Sequence, residues 1–418
     1  MPWRPAVAIA RRIGTACGVA ACLAACGGSP PASPVAPAPA LALAVTGARE
    51  VGIGQTAQLT ARLSSGEDVT RRVSWETTDR NVATVDNAGV FLGRRAGTVD
   101  VIATYSASTS ARLTASVTVV RLSSPAIATC GAIVAPGSYV LAADVAIAVP
   151  SGPCLTIEAS GVRLDCADHT VTGIHMTDVS DVVVTGCTLV SESIGSGQSF
   201  ALATRSSNVT FVANRLLSIV LRDGQDNRVL QNVIDGGYPG SGPIIGQDDG
   251  VLLVNEAHDT IQGNTIRNVW DAGIEGVDVV RDSLIADNTI DNAVVAGVSS
   301  YWCTHWTGNT IRDNRVSRSY AVVRFRYQVG ADKCQNVDTP GAFSANRMVG
   351  NTLRDDLGDT EGSMYFKFPS LDPAVVFDNL LQGNDLGRSI GPYVVPASGF
   401  IDGGGNVCGG VFNPFCGG

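Results

Sequence analysis

Thr260-Ile-Gln-Gly-Asn-Thr-Ile266, Gly273-Ile-Glu-Gly-Val277, Ser283-Leu-Ile-Ala-Asp-Asn-Thr-Ile290 and Ala296-Gly-Val-Ser-Ser300 follow one another closely along the chain. Each is a short apolar alternation broken by Gly, Asn or Asp, and none carries helical spacing over three turns. They read as short strands joined by tight turns. The word Asn-x-aliphatic recurs on both sides of this stretch, starting at Asn214, Asn232, Asn264, Asn288, Asn309, Asn351 and Asn384. The cleanest copies start at 264, 288 and 309, which are steps of 24 and 21 residues. That period is too short for two helices and fits one coil of a solenoid. Short parallel strands without long crossover helices imply a parallel β-helix, in which equivalent strands of successive coils lie about 4.8 Å apart. Stacked Asn side chains can hydrogen-bond along the axis, and Asn tolerates the left-handed conformation of a sharp corner. The recurrent Asn is therefore expected to form a turn ladder, not a ligand set.

This pattern resembles the right-handed parallel β-helix repeats of pectate lyases and related carbohydrate-active proteins, over roughly residues 125–410. The resemblance implies the fold; the activity must come from the site, because this fold hosts several chemistries. Upstream, Val73-Ser-Trp75, Val82-Ala-Thr-Val-Asp-Asn-Ala-Gly-Val90 and Ala96-Gly-Thr-Val-Asp-Val101 alternate as strands around a Trp and an Asp-Asn-x-Gly turn. They predict a small β-sandwich with Trp75 in its core. Residues 41–121 are similar to the bacterial immunoglobulin-like group 2 domain, which implies a spacer or adhesion module. The fold class is all-β: a right-handed parallel β-helix over 125–418, preceded by the sandwich.

The amino terminus reads as an address. Arg4, Arg11 and Arg12 precede the small apolar run Ile13 to Ala25. Leu23-Ala-Ala-Cys26 resembles the bacterial lipoprotein box, which implies cleavage, lipidation of Cys26 and a signal covering 1–26. The Asp that retains such proteins at the inner membrane is absent after Cys26, which implies the outer membrane or the cell surface. Residues 27–40 hold five prolines in fourteen positions, a semi-rigid stalk of up to about 40 Å. No later segment has 18 uninterrupted apolar residues, so the lipid is the only membrane attachment expected.

The formal net charge is −9, and removing the three leader arginines makes it −12. So acidic a chain is a poor nucleic-acid binder. With 16% charged residues and 47 glycines it suits a turn-rich exported protein. Eight cysteines remain beyond the leader, an even number that suggests disulfides. Cys130 and Cys154 are 24 residues apart and Cys166 and Cys187 are 21, about one coil each, so each pair is expected to staple neighbouring coils. Cys303 with Cys334 and Cys408 with Cys416 are the remaining expected pairs. No His/Cys cluster supports a zinc site; calcium remains open as a cofactor.

Function is expected on the outer rows of the solenoid. If Val251, Ile274, Val298 and Val323 point inward, with Met364 further on, then Leu252, Glu275, Ser299, Arg324 and Tyr365 form one outer row. Val254, Val277, Tyr301, Arg326 and Lys367 form the next. Asp248, Asp249, Asp271 and Asp278 are expected to flank the strip, with Tyr327, His305 and Lys333 in a nearby turn or insertion. An extracellular polysaccharide is the expected partner. For β-elimination in a uronic-acid polymer, Arg324, Arg326 or Lys367 would neutralise the carboxylate, and Tyr301, His305 or Lys367 would take the proton. Glu275, Tyr327, Lys333 and Tyr365 would bind substrate. For glycoside hydrolysis, Asp249, Asp271 and Glu275 would supply paired carboxyls. A non-catalytic glycan binder would need only the groove and exposed aromatics such as Trp302, Trp306 and Tyr327.

Overall fold

The computed structural model describes residues 43–105, 111–120, 124–145, 152–189, 201–239, 247–326, 343–354, 357, 364–367, 376–386, 393–394 and 399–407. The leader, Cys26 and the Pro-rich stretch lie outside the described residues. So do Tyr327, Lys333, Cys334, Cys408 and Cys416.

The described residues between 43 and 120 form the sandwich. Glu50–Gly52, Ala111–Val120, Gly97–Tyr105 and Val73–Thr77 make a four-stranded sheet, and Thr56–Gln58, Val90–Gly93 and Ala83–Val85 make a three-stranded one. Trp75 is buried between them and donates Nε1–H to the Thr70 carbonyl at 2.8 Å. Asp86 closes the expected turn by accepting the Ala88 and Val90 amides, each at 2.8 Å.

From Ala126 onward every described ladder between strands is parallel. The chain passes through three sheets in turn, as in Val251–Ala257, Thr260–Gln262 and Thr265–Val269, before Ala272–Arg281 re-enters the first. Val251, Ile274, Val298, Val323 and Met364 stand in register on the first sheet, as expected. One apolar column fills the interior, with Ile261, Ile285 and Ile311 from the second sheet and Ile266 and Ile290 from the third. Disulfides join Cys130 to Cys154 and Cys166 to Cys187, as the one-coil spacing implied.

The Asn ladder exists, but as two columns. Asn214, Asn232, Asn264, Asn288, Asn314, Asn351, Asn384 and Asn406 stack at the corner before the third sheet, each side-chain oxygen accepting from the rung before. Asn309 belongs to a second column, before the second sheet, with Asn227, Asp259, Ser283, Asn346 and Asn379. The step after Asn288 is therefore 26 residues, to Asn314, and not the 21 to Asn309 read from the sequence. Nor do the ladder residues take the left-handed conformation. The preceding residue does, as at Asp287 (φ 57°), Asp313 (φ 56°) and Gly350 (φ 64°). The corner thus divides its labour: one residue turns the backbone, and the next buries an amide that satisfies the stranded N–H and C=O groups.

Candidate functional site

The outer row of the first sheet is as expected: Leu252, Glu275, Ser299, Arg324 and Tyr365 are successive register partners. Val254, Val277 and Tyr301 run alongside, and Arg326 pairs with Lys367. For Tyr301, Cys303, Arg326, Tyr365 and Lys367 only the strand position is described. Arg324 is the one member of the expected basic group whose side chain can be placed in this row.

Carboxyls dominate what the row gathers. Asp249 enters from the segment before Val251–Ala257, Asp271 from the corner before Ala272–Arg281, and Glu275 from that strand. One oxygen of each lies within 4.8 Å of the others. Glu275 points away from the core yet is only 7% exposed, and Asp249 only 8%. Asp271 is the least covered of the three. Asp249 Oδ1 accepts the Ala272 amide at 3.2 Å, and Ser299 Oγ lies 3.5 Å from Glu275 Oε1. Asp248, which accepts the Trp270 indole N–H, adds a fourth carboxylate at the rim.

Packing acids this closely out of water favours their neutral forms. Burial, then the charge of Asp248, pushes Asp271 up to about 6, and Arg324 opposes that rise. Burial, then the charge of Asp271, pushes Glu275 up to about 7. Asp249 is raised well above the usual carboxylate range, first by burial and then by Glu275. Near neutral pH the cluster therefore holds protons that Asp249 and Glu275 share. An all-oxygen set of this kind is also what a hard cation such as Ca²⁺ takes, in competition with those protons.

Two further residues, His305 and Asp278, were expected near this strip. His305 lies beyond a register break in which Tyr301 faces Val277 but His305 already faces Val279. Asp278, raised first by burial, also feels Arg222, Asp223 and His305. His305 thus lies within the strand Ala296–Thr307, past two extra residues, and not in the turn or insertion expected for it. Trp306 is not a sugar platform: it is fully buried, edge-on to Phe325 with ring centroids 4.8 Å apart.

Sequence reasoning missed a second buried acid pair, Glu256 and Asp259. Burial pushes them up to about 9 and about 7 respectively. The signal was available: Asp259 occupies a ladder position filled elsewhere by Asn.

Residues 45–115 match the family model for a bacterial Ig-like domain (group 2), and residues 172–332 match that for a right handed beta helix region. The chain thus joins a bacterial Ig-like domain to a right-handed β-helix. A search of curated proteins found no match. Among solved structures the chain is similar to PfbA, a surface adhesin of Streptococcus pneumoniae, at 10% identity. That match covers 61% of this chain and 80% of the other, with a TM-score of 0.28. The two family matches establish the domain types and assign no reaction.

Proposed function

We propose that this protein is held at the cell surface through a lipidated Cys26 and acts on an extracellular polysaccharide by carboxyl chemistry on the first sheet. The observation that carries the reading is the convergence of Asp249, Asp271 and Glu275 from neighbouring coils. General acid–base catalysis needs groups that hold and release protons near the working pH, and Asp271 and Glu275, at about 6 and about 7, meet that need. Glu275, the higher of the two and so the one that keeps its proton, would protonate the leaving glycosidic oxygen, and Asp271, the lower and more open member, would act as the carboxylate. Retaining glycosidases place their carboxyls about 5–5.5 Å apart and inverting ones about 6.5–9.5 Å. The short separation here favours the retaining route. Elimination in a uronic-acid polymer is the second reading. It is favoured by the Arg324 charge beside Asp271, which can neutralise a substrate carboxylate.

Product chemistry on pectin, alginate and glycosaminoglycans separates these readings. New reducing ends without the ultraviolet absorbance of an unsaturated uronate, lost in Asp271→Asn and Glu275→Gln, support hydrolysis. Unsaturated product that survives both substitutions supports elimination. Bound polymer with neither product would leave a holding protein and overturn the catalytic reading. Cys26→Ala should release the protein from membranes if the anchor is as proposed.

A further inference from the structure

The sandwich and the flank of the β-helix enclose a polar cleft of about 540 Å³. Its β-helix wall is an outer row of the third sheet, where Thr265, Thr289 and Arg315 are register partners on three successive coils. Its other wall brings Arg80 and Arg94 from the sandwich. The wall is fixed in place: Thr84 donates to Gln231 Oε1 at 2.8 Å, and Arg95 pairs with Asp168 at 3.5 Å.

Charge distinguishes this cleft from the rest of an acidic chain. Arg94 is largely withdrawn from water with no carboxylate partner among the described residues. It donates to the Arg80 carbonyl at 2.8 Å and the Gln231 carbonyl at 3.2 Å, while its buried Nε has no partner. Arg80 and Arg315 are exposed, and neither is in an ion pair among the described residues. Of the two acids on the lining, Glu76 and Asp287, the latter is already engaged by Arg312 at 3.6 Å and by Gln262 at 2.9 Å. A buried cation without a counter-ion carries a desolvation cost that a ligand anion offsets.

We propose that this cleft binds an anionic oligosaccharide segment, with Arg80 and Arg315 taking its carboxylate or sulfate groups and Thr265 and Thr289 its hydroxyls. The outer row repeats about every 4.8 Å, close to the advance of one pyranose unit in an extended chain, so successive sugars meet successive coils. The choice of a saccharide rests on the polysaccharide reading above; the choice of an anion rests on the arginines alone. The site would hold polymer on the sandwich side of the helix, apart from the carboxyl cluster.

The test is binding of the full chain to polygalacturonate, dextran sulfate and neutral dextran, by calorimetry at low salt. The wild type should bind one or both polyanions and not neutral dextran; which polyanion it prefers tells carboxylate from sulfate. Arg80→Glu combined with Arg315→Glu should weaken that binding about tenfold or more and leave the thermal midpoint unchanged, because both side chains are exposed. Equal binding by this variant, equal binding of neutral dextran, or no polyanion binding by the wild type would each overturn the proposal. Asp271→Asn should keep the binding whatever it does to turnover, so failure of the cleft and failure of the carboxyl site give different results.

Discussion

Replacing Asn288 with alanine should be among the most damaging single changes in the β-helix. The side chain is fully buried. Its oxygen accepts the Asn264 amide at 3.0 Å and Asn264 Nδ2 at 2.9 Å; its own Nδ2 donates to the Ile261 carbonyl and to Asn314 Oδ1, each at 2.9 Å. Alanine keeps the backbone but leaves two donors of Asn264 without partners inside a column sealed from water. Each buried polar group left unsatisfied costs about 1–3 kcal/mol, so the variant should lose about 2–6 kcal/mol. Urea unfolding followed by circular dichroism measures this, with Gln262→Ala as control. Gln262 makes only an exposed bond to Asp287, and its loss should stay within about 0.5 kcal/mol. If Asn288→Ala unfolds within about 1 kcal/mol of wild type, the ladder is not a structural spine and the reasoning fails.

Stability should also fall as pH rises. Asp271, Glu275, Glu256 and Asp259 all have raised folded values, so between their ordinary range and about 9 the folded state binds more protons than the unfolded one. Thermal midpoints should therefore decline from about pH 5 to about pH 9. Asp259→Asn, which restores the ladder amide, should flatten the decline above about pH 7 and raise the midpoint there; an unchanged slope would count against a proton-sharing pair. Gly276 has no room for a methyl group, since a Cβ would sit 2.3 Å from Trp306 Cζ2. Gly276→Ala should cost about 1–3 kcal/mol, read from the same urea curves. Removing the Cys166–Cys187 bridge, which closes a loop of 21 residues, should cost about 3 kcal/mol in oxidising buffer and nothing further under reduction.

The rows were legible because a strand alternates strictly and a coil repeats: placing Val251, Ile274, Val298 and Val323 inward fixed which letters faced out. The ladder was half legible. Asn227/Asn232, Asp259/Asn264, Ser283/Asn288, Asn309/Asn314, Asn346/Asn351 and Asn379/Asn384 are each five residues apart, one residue at each of two corners. Reading only Asn-x-aliphatic merged the two columns and put Asn309 on the wrong one. His305 was misplaced because an insertion inside a strand breaks register without leaving a turn residue to mark it. The burial of Glu275 and Asp249 was not legible either, since alternation gives direction from the core but not what lies above the sheet. The cleft between the domains depends on how two folded units pack, which no local pattern encodes.

The site exists only if positions one coil apart are spatial neighbours, as Cys130 and Cys154 are at a Cα separation of 4.7 Å. A direct measurement is a peptide map of two engineered pairs after air oxidation. Glu275→Cys with Ser299→Cys joins adjacent coils of the outer row and should close a disulfide. Leu252→Cys with Ser299→Cys spans two coils, about 9–10 Å, beyond the reach of a disulfide, and should stay reduced. Crosslinking of the second pair and not the first would contradict the register on which the carboxyl cluster depends.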